Sequence, residues 1–332
     1  EFGFCYGVDR AVEYAYESVH KFPDKRIYLV GEIIHNPHVN TRMTEMGIRF
    51  IYPDPDGTFD FSEVTPDDVV ILPAFGVTLH DFEELRKVGC ILVDTTCGAV
   101  LHVWKRVENY ARDGFTAVIH GKYTHEESRA TASQVNKHDG GKYIIVRDME
   151  EGHLLFDYIA RRPGHLTREA FMEHFRKKAS PGFDPDRDLE LVGVANQTTM
   201  LAKESLAIGM KVHEAMVERF GEEHAATHFR SFGTICSATQ ERQDAVAEMM
   251  EEPPRIMLVI GGYNSSNTNQ MRGKHATKPM DEVVAEAGTP EEAFALGITA
   301  GASTPNHKIG EALLRILAIR GIDVEAEASA PA

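Results

Sequence analysis

The chain holds only four cysteines in 332 residues, at positions 5, 90, 97 and 236, and no two of them form a C-x-x-C pair. That scarcity excludes a disulfide scaffold, and the spacing excludes a zinc ribbon. No uninterrupted apolar run approaches the ~18 residues of a membrane-spanning helix. The opening EFGFCYGVDR lacks the basic segment and long apolar stretch of a secretory signal. The expected location is therefore the cytoplasm, or the plastid stroma if a transit peptide has been removed, with no membrane partner. Basic residues are outnumbered 35 to 51, giving a net charge of −16. Nucleic acid is thereby excluded as the main partner, since phosphate backbones need a basic surface. A small anion is not excluded, because backbone amides and hydroxyls hold one locally. Nor does any G-x-G-x-x-G turn provide for a nicotinamide cofactor.

What the sequence does hold is a series of short β-branched runs, each closed by a polar or glycine-bearing turn. They are RIYLVGEIIHN (26–36), VVILPAFGV (69–77), ILVDTTC (91–97), TAVIHGKYTHEES (116–128), KYIIVRD (142–148), LELVGVANQTTM (189–200), RIMLVIGGYNSSN (255–267) and ALGITAGAS (295–303). Helix-period segments such as DFEELRKV, LHVWKRVENYA, KESLAIGMKVHEAMVERF and TQERQDAVAEMMEE lie between them. Alternation of this kind predicts an α/β fold with mainly parallel sheets. Ligands of such folds bind at the carboxyl ends of strands, where these turns sit. Residues 151–190 break the rhythm and read as a charged, largely helical insertion. Residues 271–294 show almost no strand pattern and read as helix plus loop, with TPEE a helix start.

Three cysteines share a context. Cys5 in GFCYGVDRAVEYAYESV, Cys97 in DTTCGAVLHVWKRVENYA and Cys236 in TICSATQERQDAVAEMM each precede an amphipathic segment. Each thiol is expected at a helix N-terminus, where the dipole and free amides favour thiolate. The intervals are 92 and 139 residues, and the longer one spans the insertion. Three similar α/β units, each presenting one thiol toward a common centre, fit this pattern. Three convergent thiolates suit either zinc with a fourth ligand or a cubane [4Fe–4S] cluster with one open iron. Cys90 enters the strand ILV without a polar turn after it and reads as a packing thiol.

The turns GGYNSSNTNQ (261–270), ITAGAST (298–304) and ANQTTM (195–200) supply hydroxyls, a carboxamide and amides of the kind phosphate oxygens need. His35 and His38 lie in EIIHNPHVN; His120, His125, Glu126 and Glu127 lie in IHGKYTHEES. A histidine at a strand end neutralises phosphate or relays protons, and a nearby carboxyl delivers the proton that a reduction requires.

The collinear set GFCYGVDRAV, EIIHNPHVN, DTTC, THEES, NQTTM, TICSATQERQDA, GGYNSSNTN and TAGASTP resembles the 4-hydroxy-3-methylbut-2-enyl diphosphate reductase family, over roughly residues 3–318. The insertion makes it similar to the longer cyanobacterial and plastid type. The resemblance implies three pseudo-symmetric α/β units around a [4Fe–4S] cluster held by Cys5, Cys97 and Cys236, with the fourth iron open to substrate. The units expected are 6–97, 98–235 with the insertion, and 236–320 together with 1–5, followed by a tail at 321–332. It implies two-electron removal of the allylic hydroxyl from a small allylic diphosphate, giving isopentenyl and dimethylallyl diphosphates, the last step of the methylerythritol phosphate route. Glu127 is then the proton-relaying carboxyl and Thr198 its support. His35, His125, Thr198, Ser265, Ser266, Asn267 and Ser303 become substrate contacts. A ferredoxin or flavodoxin is the implied electron donor. Two positions depart from the family pattern: Phe75 stands where many members have a phosphate-contacting histidine, and Gly98 where proline is usual. A cluster-bearing carrier without turnover would need the thiols but not Glu127 or the hydroxyl-rich turns. A zinc-dependent hydrolase of a phosphorylated metabolite would need hard ligands beside the thiolates.

Overall fold

The structure, a computed structural model, describes residues 3–272, 278, 282–284 and 295–322. The expected helix start at TPEE, most of 271–294 and nearly all of the 321–332 tail lie outside the described residues. The chain divides into two compact units. One comprises Glu1–Asp9, His35–His38 and Ser237–Ala332; the other comprises Arg10–Ile34 and Val39–Cys236.

The larger unit contains two four-stranded parallel sheets. In the first, β1 (Ile27–Val30), β2 (Arg49–Ile51), β3 (Val69–Leu72) and β4 (Ile91–Asp94) run in the order β2-β1-β3-β4. In the second, β5 (Thr116–His120), β6 (Tyr143–Val146), β7 (Val192–Asn196) and β8 (Phe229–Ser231) run in the order β6-β5-β7-β8. The central strands β1, β3, β5 and β7 are buried along their whole length. A strand covered on both faces has no solvent side to alternate toward, which is why these read as continuous apolar runs. All eight predicted strands form. The two additional ones, β2 and β8, are edge strands of three residues each.

The crossovers are helices: α1 (Tyr6–Lys21), α2 (Pro37–Glu45), α3 (Leu79–Val88), α4 (Gly98–Arg112), α5 (Glu126–Ser133), α6 (Met149–Ala160), α7 (Arg168–Phe175), α8 (Pro185–Asp188), α9 (Ala202–Phe220) and α10 (Glu222–His228). Thr78 caps α3 by accepting the Asp81 N–H, and Gly89 closes it in the left-handed conformation. The charged 151–190 segment supplies Phe156, Tyr158, Phe171, Phe175 and Phe183 to a core that also takes Val118, Val194, Ile208 and Val212. Each such fully buried side chain contributes ~1.5–3 kcal/mol.

In the smaller unit, β9 (Ile256–Ile260) and β10 (Leu296–Ala300) pair in parallel. Each leads through a glycine turn into a helix, α12 (Ser266–Arg272) and α13 (Asn306–Ile319) respectively, and α11 (Ser237–Met249) precedes them. Among the described residues, no helix of either unit is long and apolar enough to cross a membrane.

Candidate functional site

In the second sheet the strand order reverses between β5 and β7, and ligands of such sheets bind outside the carboxyl ends of the strands at that point. His125, in the turn after β5, caps α5: its Nδ1 accepts the Glu127 N–H at 3.1 Å. That bond puts the proton of a neutral imidazole on Nε2. Glu127, in the first turn of α5, is 1% exposed. Its Oε1 accepts the backbone N–H of Thr198, in the turn after β7, at 2.5 Å. The Thr198 carbonyl accepts the Cys236 N–H at 3.4 Å, so the turn that holds Glu127 also holds a thiol segment. The Thr198 hydroxyl has no hydrogen-bond partner among the described residues.

Gln197 makes this arrangement rigid. Its Oε1 accepts the Lys122 N–H at 3.2 Å and the Ser128 hydroxyl at 3.1 Å, while its Nε2 donates to Thr199 at 2.9 Å. On the other side, Cys97 is the N-cap of α4, and its N–H donates to the Ala74 carbonyl at 3.0 Å. Next to Ala74, Phe75 packs against His125 in a T-shaped contact, with ring centroids 5.5 Å apart and planes at 83°. The residue that resembles a lost phosphate contact is therefore a wall for the capping histidine. The larger unit thus brings together Cys97, His125, Glu127, Thr198 and Cys236.

The smaller unit brings together the other six predicted residues. Ser265 and Ser266 open α12, with the Ser265 hydroxyl accepting the Thr268 N–H at 3.3 Å. Asn267 Oδ1 accepts the Ala302 N–H at 3.0 Å, which fixes its amide so that Nδ2 points away from the backbone it binds. Cys5, directly before α1, donates its N–H to the Ala302 carbonyl at 3.1 Å. Asn36 donates to the Ser303 carbonyl at 2.6 Å, anchoring the segment that carries His35. Three buried polar atoms here, Asn267 Nδ2, Thr268 Oγ1 and Ser303 Oγ, have no hydrogen-bond partner among the described residues. Leaving one such group unpaired costs ~1–3 kcal/mol, so three on adjoining turns make this a candidate place for a ligand's acceptor oxygens.

Glycine makes room for them. A Cβ on Gly261 or Gly301 would stand 2.1 or 2.2 Å from Thr268 Oγ1, and one on Gly262 would stand 2.3 Å from the His35 carbonyl oxygen. Thr268 escapes the sequence reading because it follows the more conspicuous SSN; the glycine that ends each flanking run was the available signal. Gln197 and Arg242 escape it as well.

All four cysteines are thiols, each half-buried. Cys90 differs from the rest: it packs beside Leu85, Val88 and Leu92, and its Sγ lies 3.6 Å from the Leu85 carbonyl oxygen. Burial pushes the Cys90 thiol up, away from thiolate. His120, at the end of β5, is fully buried with Nδ1 2.8 Å from the Ser205 hydroxyl. Burial pushes its imidazole down to about 4, so it is neutral at pH 7.

A profile of the LytB protein family matches residues 1–317. A relative from Thermosynechococcus vestitus is 45% identical over 345 residues, spanning 97% of this chain and 84% of its own length. Another, from a Nostoc species, is 44% identical over 343 residues, spanning 96% and 83%. Both carry the name 4-hydroxy-3-methylbut-2-enyl diphosphate reductase. A solved structure described as (E)-4-hydroxy-3-methyl-but-2-enyl diphosphate reductase, the terminal enzyme of the non-mevalonate pathway, is similar at a TM-score of 0.57 and 27% identity, covering 95% of this chain and 96% of the other. The Plasmodium falciparum reductase structure, at a TM-score of 0.64 and 20% identity over 95% and 85% of the two chains, is similar in fold.

Proposed function

Since the chain belongs to the LytB family, we propose that it is a reductase of 4-hydroxy-3-methylbut-2-enyl diphosphate. It removes the C4 hydroxyl as water, taking up two electrons and two protons, and yields isopentenyl and dimethylallyl diphosphates. The observation that carries the reading is the trio of buried donors without partners among the described residues: Asn267 Nδ2 and Thr268 Oγ1 on α12, and Ser303 Oγ on the turn whose Ala302 binds the Cys5 backbone. An anion receptor and a helix-start thiol share one loop.

Iron–sulfur chemistry is general to the family, and the donor set suits it. Cys5, Cys97 and Cys236 are half-buried thiols that each directly precede a helix, and soft thiolates are the ligands such clusters take. We assign these three as the ligands of a [4Fe–4S] cluster with one open iron and leave out Cys90, which is packed. Bound there, the cluster would supply electrons and a Lewis-acidic iron for the C4 oxygen.

The chain's own residues bind, orient and protonate. Ser265, Ser266, Asn267 and Ser303, with His35 and His125, hold the diphosphate, which lies remote from the reacting carbon. Binding energy collected there fixes the C4–O bond in position. Glu127 delivers the proton to the leaving hydroxyl, directly or through the Thr198 hydroxyl, and the Thr198 N–H keeps its carboxyl aimed. A carrier without turnover has no use for that contact. A ferredoxin or flavodoxin supplies the electrons, in the cytoplasm or plastid stroma. The test is anaerobic reduction of the diphosphate by the purified protein with an artificial low-potential donor. Both isopentenyl products from a brown protein are expected; a colourless protein that leaves the diphosphate unchanged overturns the reading.

A further inference from the structure

Helix α11 turns an unusual face inward: its buried residues are Thr239 and Arg242, one turn apart, rather than an apolar stripe. By contrast α1 buries Ala11, Val12, Ala15 and Ser18. Arg242 is 3% exposed, and no carboxylate among the described residues pairs with it. Its guanidinium instead donates to three backbone carbonyls from three segments. Nη2 reaches Gly3 at 2.9 Å, Nε reaches Ala300 at 3.3 Å, and Nη1 reaches Ala238 at 3.0 Å. Gly3 lies two residues before Cys5. Ala300 ends β10, directly before the turn whose Ala302 accepts the Cys5 N–H and whose Ser303 carries an unpartnered hydroxyl.

A buried cation without a counter-charge is costly and persists where something else requires it. A planar fork with fixed donor directions suits three carbonyls at once, which the single ammonium of a lysine does not reproduce. We propose that Arg242 is a positioning residue of the reductase site. It clamps the Cys5 segment to the Ala300–Ser303 turn so that thiol and anion receptor share one frame, and its uncompensated charge favours an anion in that receptor. The inference rests on the reading of Cys5 as a cluster ligand and of the turn as part of the diphosphate site.

Two measurements on the metal-free protein test it without relying on turnover. The first is alkylation of each thiol by iodoacetamide, read by mass spectrometry, in the wild type, Arg242→Gln and Arg242→Lys. Arg242→Gln should speed modification of Cys5 at least fivefold and leave Cys97 and Cys236 within twofold. The second is inorganic pyrophosphate binding by calorimetry. It should weaken at least tenfold in Arg242→Gln, with part of the loss restored in Arg242→Lys through its charge. Unchanged Cys5 reactivity and pyrophosphate affinity in Arg242→Gln would overturn the proposal, as would equal acceleration at all three thiols, which marks general loosening. If Arg242→Gln does not fold, Arg242→Lys decides: Cys5-selective acceleration upholds the clamp, and wild-type reactivity refutes it. A wild type that forms no cluster would instead count against the reductase reading, while these two measurements would still report on the clamp.

Discussion

The two units spend their buried interior differently. The larger one buries whole strands rich in valine, isoleucine and leucine, with β1, β3 and β5 sealed from end to end. The smaller one has strand β9 half-buried throughout, yet it seals off Ser265, Ser266, Asn267, Thr268, Ser303, Thr304 and Arg242. Apolar burial stabilises a fold by itself, at ~25 cal/mol per Å². Buried hydroxyls and amides without partners do the opposite until a ligand satisfies them. On the proposed reading the larger unit carries Glu127 and the smaller one the receptor, and a receptor whose buried donors lack partners should gain stability when its anion binds.

The largest expected effect tests whether the units act as one. Cys5 lies in the smaller unit, and Cys97 and Cys236 in the larger. If all three hold one cluster, Cys5→Ser, Cys97→Ser and Cys236→Ser should each abolish turnover and deplete iron to a similar degree in anaerobic preparations. Cys90→Ser should retain wild-type iron. Equal iron loss in the Cys90 variant would break the assignment.

Next in size is a buried histidine of the larger unit, at the end of β5. His120 has its folded-state value pushed below the ordinary 6.5 to about 4. The unfolded chain therefore takes up the proton first as pH falls. Stability is fully present above about pH 6.5 and is lost as pH falls toward about 4, by up to ~3 kcal/mol at 1.36 kcal/mol per pH unit. Denaturant titrations across that range should show the slope, and His120→Asn should flatten it; an identical slope in the variant would remove His120 as its cause.

Smaller again is the receptor's signature. Ser303→Ala or Asn267→Ala should weaken pyrophosphate binding by ~10-fold, the scale of one hydrogen bond to a charged group. Ser303→Ala should leave the ligand-free melting temperature unchanged or raised, because the hydroxyl it removes is buried without a partner. A destabilised Ser303→Ala protein with normal affinity would make that hydroxyl an ordinary core group.

The smallest effect concerns Gly98, the first residue of α4. Nothing lies within 4 Å of a Cβ placed there, and Cys97 is in the extended conformation that tolerates a following proline. Gly98→Pro should raise stability by ~0.4–1 kcal/mol in thermal or denaturant unfolding, through the unfolded chain.

Much of this was legible in the chain because continuous β-branched runs have few alternatives to a buried parallel strand. The RFI of β2 and the FRS of β8 were not, since three residues with little apolar character carry no period. In the site, the helix-start thiols and hydroxyl-rich turns announce themselves by residue type. Arg242 does not, because an arginine inside TQERQDA looks like any solvated helix charge until its burial is known. Gln197 and Thr268 hide behind neighbours of more obvious chemistry. Phe75 was legible only as the loss of a phosphate contact; the T-shaped packing on His125 depends on how β3 and β5 place their turns, which no local pattern encodes.

The central claim is a division of labour, with proton delivery by Glu127 in the larger unit and most of the proposed diphosphate contacts in the smaller. Glu127→Gln measures it most directly, with turnover and calorimetric binding of the diphosphate substrate followed on the same cluster-loaded preparation. The account predicts a fall in kcat of ~10²–10⁴, the contribution of a positioned general acid, with substrate affinity and iron content unchanged. Near-normal turnover, or a loss of affinity as large as the loss of rate, would contradict it.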